Sequence, residues 1–225
     1  MKAQIVHLPH NKESVEQATQ ALKSFQDNGW DVELVEGITP ETLESQGRVT
    51  DLLKGGRLTH FKDPKLSIKK SCVNNHIVFW EKVYAINETM AFIEHDALAV
   101  RPSEDWTFDD VLILNMQHTF NFGALRGKRF NKTYPLKSDA GVHEHTDKYP
   151  LKCKVPKSPY KGSKMMPGTA AYAITPQGAR KMLDVVYNEG IDQSDYIMNS
   201  KIVKMEYVIP SPVKFNTKNL RTSHG

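Results

Sequence analysis

One stretch of ten residues, 91–100, constrains this chain more than any other: Ala-Phe-Ile-Glu-His-Asp-Ala-Leu-Ala-Val. Its apolar run reads as a buried strand, and two carboxylates, Glu94 and Asp96, interrupt it midway. If the extended geometry persists, residues i and i+2 share a side, so both carboxylates project together and His95 projects the other way. Two like charges at the end of an apolar segment are costly unless a cation joins them. A hard cation, Mn²⁺ or Mg²⁺ (manganese or magnesium), takes oxygen ligands and is commonly shared between carboxylates and a substrate's phosphates. Glu94 and Asp96 are therefore the expected metal ligands of a metal-diphosphate site. A strand end that turns into solvent with both acids hydrated would carry the same three residues, so the surroundings decide.

A chain of 225 residues can bury one good core, and a single domain over residues 1–225 is expected. The hydrophobic fraction of 39% excludes a fibrous or disordered chain. No run reaches the roughly 18 apolar residues of a membrane span, and the opening residues lack the apolar core of a signal peptide. The expectation is a cytoplasmic protein with no membrane span. Cys72 and Cys153 form no C-x-x-C pair, which disfavours a structural zinc site or a redox motif. His143 and His145, with Glu144 and Asp147 nearby, offer a His-x-His pair without a placed third ligand, so a hydrated loop is expected there.

The net charge of +4 is unevenly placed. Residues 126–164 carry eleven Lys or Arg against three acids, a local +8 that leaves −4 for the rest of the chain. A segment of that kind meets phosphate or another polyanion.

The order of elements points to an α/β fold. Residues 3–9 read as a short strand; Val15, Ala18, Leu22 and Phe25 follow at helical spacing behind a cap at Asn11 or Ser14; residues 31–35 read as a second strand. A right-handed crossover makes the two strands parallel neighbours. The turn at His7 to Asn11 then lies at the carboxyl end of the sheet, where open α/β folds bind nucleotides. No G-x-G-x-x-G follows it, which disfavours the usual dinucleotide fold. Pro40 after Thr39 starts a helix. Residues 47–70 read as irregular, 71–84 as a helix and 108–115 as another buried strand. Residues 121–166 form a long basic stretch in which Tyr134, Tyr149 and Tyr160 alternate with lysines, a pattern suited to stacking beside phosphate contacts. A solvated loop merely anchored by its tyrosines is the alternative. A strand of small residues at 168–174, a helix after Thr175-Pro176, a short helix near Asp192, a last strand at 201–209 and a polar basic tail at 211–225 complete the chain.

Three blocks carry a family resemblance. Cys72-x-x-Asn75-His76-x-x-x-Trp80 resembles the Cys-x-x-Ser-His-x-x-x-Trp helix of glycosyltransferase family 25, the group of lipooligosaccharide and collagen galactosyltransferases. Phe92-Ile93-Glu94-His95-Asp96 is similar to that family's Leu-Glu-Asp-Asp strand end. Residues 168–175, with Tyr172, and the Gly178-Ala179 helix resemble its Gly-x-x-x-Tyr-x-Ile-Ser block and Gly-Ala-x-x-Leu helix. Two positions depart from the pattern: His95 stands in place of an Asp, and Asn75 in place of a Ser.

The resemblance implies a GT-A-like α/β domain, with a mixed, mostly parallel sheet flanked by helices. It also implies metal-dependent, inverting transfer of a sugar from a nucleotide-sugar, with UDP as the expected nucleotide. The pair Glu94 and Asp96 would hold the metal. The base that inversion requires would be Asp192 or Asp195, after the Gly-Ala helix; Asp192 is favoured because Gly190-Ile191-Asp192 resembles the family's apolar-Asp step. By position His7, Asn11, Thr39 and His95 are candidate donor contacts. Arg126, Lys128, Arg129, Tyr134 and Lys161 are candidate acceptor contacts, for a bacterial surface glycan or for DNA carrying a hydroxymethylated base. His76 and Trp80 read as core residues rather than ligand contacts. His95 within the acidic motif keeps a second expectation alive, a noncatalytic DNA-binding or scaffold protein with a transferase-like fold.

Overall fold

The computed structural model describes residues 1–60, 64–119 and 134–216; Arg126, Lys128 and Arg129 lie outside them. The chain opens with the expected strand-helix-strand unit: β1 (Lys2–His7), α1 (Lys12–Asp27) and β2 (Asp31–Glu36). The Asn11 side chain accepts from the Ser14 N–H at 3.0 Å and starts α1, which buries Ala18, Ala21 and Phe25. Gly29, at φ +74°, reverses the chain behind it. Thr39 caps α2 (Pro40–Ser45), its hydroxyl accepting from the Thr42 N–H.

Three short or long elements lead to the site: α3 (Arg57–His60), α4 (Leu66–Ile86) and β3 (Met90–Glu94). Then come β4 (Ala97–Ala99), β5 (Val111–Ile113), β6 (Gly141–Glu144), β7 (Ala171–Ile174), α5 (Pro176–Asn188), α6 (Ser194–Ile197), β8 (Met205–Ile209) and β9 (Val213–Phe215).

Seven strands form one sheet in the order β2-β1-β3-β7-β5-β8-β6, and β4 pairs with β9 in a separate ribbon. Strands β2, β1, β3, β5 and β8 run in one direction, while β7 and β6 run against their neighbours. The carboxyl ends of β1, β2, β3 and β5 therefore share one edge of the sheet.

Strand alternation divides the core into two layers. Phe92, Tyr172, Ile174, Val111 and Ile113 face α4 and α5, with Val73, Ile77, Phe79, Trp80, Met182 and Val186 among the residues opposite. Ala91, Ile93, Ala171, Ala173, Leu112 and Leu114 face α1 and pack with Ala18, Ala21 and Phe25. Gly178 lets α5 approach closely, because a Cβ there would stand 2.6 Å from the Asp110 carbonyl oxygen.

Four expectations are corrected by tertiary contacts. Residues 91–100 are two strands of different sheets with a turn at His95-Asp96, since the Asp96 carbonyl is held by the Asn216 N–H at 2.7 Å and β4 leaves to pair with β9. The 47–70 stretch contains α3 and the first turn of α4. Part of the expected loop at 121–166 supplies β6 and the buried side chains of Tyr134, Tyr149, Cys153 and Val155. The expected polar tail supplies β9, whose Val213 is fully buried.

Candidate active site

Glu94 ends β3 on the carboxyl edge of the sheet. Because Met90 and Phe92 face α4 and α5, alternation puts Glu94 on that side as well, while His95, in the turn that follows, feels the charge of Glu13 on α1. The Glu94 N–H donates to the Ala170 carbonyl at 2.8 Å. Its Oε1 lies 3.2 Å from Thr169 Oγ1, which is also 3.2 Å from Ser194 Oγ in the first turn of α6. Burial raises the Glu94 carboxyl to about 8, and the charges of Asp96 and Asp195 push the same way, against the Thr169 hydrogen bond. Burial also raises Asp96. Its Oδ1 is enclosed and has no hydrogen-bond partner.

The paired acids fit a divalent cation on these grounds. An orphaned carboxylate oxygen and a neighbouring carboxyl that burial and two acids hold toward its protonated form both lack positive charge. Among the described residues no three His, Cys, Asp or Glu side chains converge into a complete metal cage. A cation on Glu94 and Asp96 would thus complete its shell with substrate oxygens and water.

The two candidate bases separate clearly. Asp192 is 2% exposed, and its oxygens accept from the N–H groups of Arg57 at 2.8 Å, Leu58 at 3.0 Å and Gln193 at 2.9 Å. It fastens the start of α3, and Gly56 leaves room for it: a Cβ there would stand 2.8 Å from Asp192 Oδ2. Asp195, three residues on, keeps an enclosed Oδ1 with no partner. Burial raises it to about 6 against the nearby Arg57 guanidinium, and its charge is felt at Glu94. Arg57 itself is held by Gln193 Oε1 at 3.2 Å and by the Tyr196 hydroxyl at 2.9 Å, its guanidinium 4.8 Å from the Tyr196 ring centre.

His7 stands at the carboxyl end of β1 with an enclosed, unpartnered Nδ1. Burial lowers His95, opposed by the charges of Asp96 and Glu13. Asn11 and Thr39 spend their side-chain oxygens on the caps of α1 and α2. Of the acceptor candidates, Lys161 is exposed, whereas Tyr134 is 1% exposed and offers no ring face to a stacked base. Its hydroxyl donates to Thr146 Oγ1 and accepts from the Thr146 N–H. Tyr149 donates to the Met165 carbonyl at 2.6 Å. The lysine–tyrosine alternation is an outside–inside alternation.

His76 and Trp80 are core residues, 2% and 0% exposed. Trp80 Nε1–H donates to the Tyr172 hydroxyl at 2.9 Å, and His76 Nδ1 lies 3.0 Å from the same oxygen. Burial lowers His76 to about 3, so its neutral ring can accept the Tyr172 proton. Asn75 brackets the backbone of Ile38, accepting from its N–H at 2.6 Å and donating to its carbonyl at 3.3 Å. Thr169, Ser194 and Arg57 carry no local signal in the sequence that marks them as site residues. Thr169 lay in a run of small residues that reads only as strand, and the other two reach the site solely through the fold.

The class to which such a chain belongs is settled by comparison with known proteins: it is a glycosyltransferase. Residues 12–198 match glycosyltransferase family 25 (LPS biosynthesis protein), and the chain belongs to that family. No curated protein sequence matches it significantly. Among solved structures, the galactosyltransferase LgtC in complex with donor and acceptor sugar analogs aligns with a TM-score of 0.42 at 9% identity, over 96% of this chain and 86% of that one. Among the described residues no helix is long and apolar enough to cross a membrane.

Proposed function

We propose that this chain transfers a sugar, with inversion, from a nucleotide-sugar to a hydroxyl of a bacterial surface glycan. Glu94 and Asp96 would hold Mn²⁺ or Mg²⁺. An ion held there would offset the charge of the donor's diphosphate and supply Lewis-acid help to the departing nucleotide. Asp195, rather than Asp192, is the base. Its carboxylate, which no trio of backbone N–H groups occupies, would take the acceptor hydroxyl proton as that oxygen bonds to the anomeric carbon and the bond from that carbon to the diphosphate oxygen breaks. The Asp192 oxygens are already engaged by three backbone N–H groups. His7 and His95 flank the donor side.

The observation that carries this reading is the gathering of Glu94, Asp96 and an underbonded Asp195 at the carboxyl edge of the sheet in a family 25 chain. Scanning fluorimetry with a panel of nucleotide-sugars tests it. A donor is expected to stabilise the protein only with Mn²⁺ or Mg²⁺ present, and E94A or D96A to remove the shift. D195N should retain donor binding while lowering turnover about 100-fold or more. No stabilisation by any donor, or full turnover by D195N, would overturn the assignment.

A further inference from the structure

Thr169 and Ser194 form a bridge between the two acidic halves of the site. Thr169 is 6% exposed, and its Oγ1 stands 3.2 Å from both Glu94 Oε1 and Ser194 Oγ. An ionised carboxylate only accepts, so the Thr169 O–H must donate to Glu94. That leaves the Thr169 lone pairs to accept from the Ser194 O–H. The direction of both hydrogen bonds is therefore fixed whenever Glu94 is charged. One end of the bridge rests on β3; the other rests on α6, beside Asp195.

The bridge is also held from behind. The Glu94 N–H is tied to the Ala170 carbonyl at 2.8 Å, next to Thr169 in the chain. Gly168 precedes Thr169 at φ +101°, a turn that an L side chain rarely adopts. Three residues beyond Thr169, Tyr172 is locked by Trp80 and His76. The spacing from Gly168 to Tyr172 thus delivers one hydroxyl to one oxygen of Glu94. Among the described residues no hydrogen bond engages Glu94 Oε2, which stays available to a cation.

We infer that Thr169, supported by Ser194, is a positioning residue for the metal: it fixes the Glu94 carboxylate in its ligating orientation and ties that carboxylate to the helix bearing the base. The inference rests on Glu94 being a metal ligand, as proposed above. Isothermal titration of the full chain with Mn²⁺ alone, without donor or acceptor, separates the two claims. T169V should raise the Mn²⁺ Kd about 10- to 100-fold, the range in which outer partners of metal ligands act. T169S, which returns the hydroxyl, should bind like the unaltered chain, and S194A should fall between them.

A merely structural role for Thr169 would lower the melting temperature and the titrated fraction but leave the Kd of the folded fraction unchanged; that result overturns the inference. So would S194A and T169V binding Mn²⁺ as tightly as the unaltered chain while E94A does not bind. If E94A binds as well as the unaltered chain, Glu94 is no ligand and the proposed function fails with it.

Discussion

At the scale of single residues, Glu94 links chemistry to stability. Its carboxyl is raised to about 8 from an ordinary value of 4.5, so the folded chain holds a proton that the unfolded chain releases over that window. Stability from this group is therefore present below about pH 4.5 and is lost as pH rises toward about 8. Asp195, raised to about 6, adds a smaller effect of the same sign. A cation that replaces the proton reverses the trend. The melting temperature without metal should thus fall from pH 5 to pH 8 more steeply in the unaltered chain than in E94Q, and stabilisation by Mn²⁺ should grow over the same range. Parallel melts of the two proteins, or a Mn²⁺ shift indifferent to pH, would count against this account. Asn75 shows how a departure from the family pattern can be local: its longer side chain reaches both polar groups of Ile38.

At the scale of elements, the ribbon of β4 and β9 decides whether the acidic motif is a strand or a turn. Ala97 pairs with Phe215 and Ala99 with Val213, while the Asn216 N–H holds the Asp96 carbonyl at 2.7 Å. The Val213 N–H reaches the Leu114 carbonyl at 3.3 Å, fastening the ribbon to the end of β5. The carboxyl-terminal strand therefore sets the position of a proposed metal ligand more than a hundred residues earlier. Deleting residues 211–225 should lower the melting temperature and weaken Mn²⁺ binding together. N216P, which removes the N–H donor together with the side-chain amide that donates to Gln20 Oε1, should weaken Mn²⁺ binding with a smaller loss of stability than the truncation. Calorimetry that finds Mn²⁺ affinity intact in the truncated chain would show that the 95–96 turn holds without the ribbon.

At the scale of the whole molecule, charge and shape give different messages about the acceptor. Lys137, Lys148, Lys152, Lys154, Lys157 and Lys161 are exposed along the outer side of residues 134–166, and the chain carries a net +4. Such a surface attracts any polyanion. The tyrosines that would have added base stacking are instead core residues, so DNA binding is expected to be nonspecific and to fall steeply with added salt. Gel-shift titrations over a range of salt, with plain and hydroxymethylated duplexes, should give indistinguishable affinities. A salt-resistant preference for the modified duplex would restore DNA as the acceptor.

The local signals in the sequence were those whose physics is short in range. Helical spacing, the caps at Asn11, Thr39 and Thr175, and the apolar runs of β1, β3, β5 and β7 state their own conformations. The acidic pair and the family blocks were legible for the same reason. What the chain could not state locally was which backbone N–H groups would occupy Asp192, which hydroxyls would meet Glu94, or that the tail would return to pair with β4. Asp192 and Asp195 are chemically alike and three positions apart; only their different neighbours leave one saturated and the other with an unpaired oxygen. The order of residues by itself determined an α/β chain with an acidic motif at a strand end. Tertiary structure chose among its acids, because hydrogen bonds and desolvation depend on residues brought from distant parts of the chain.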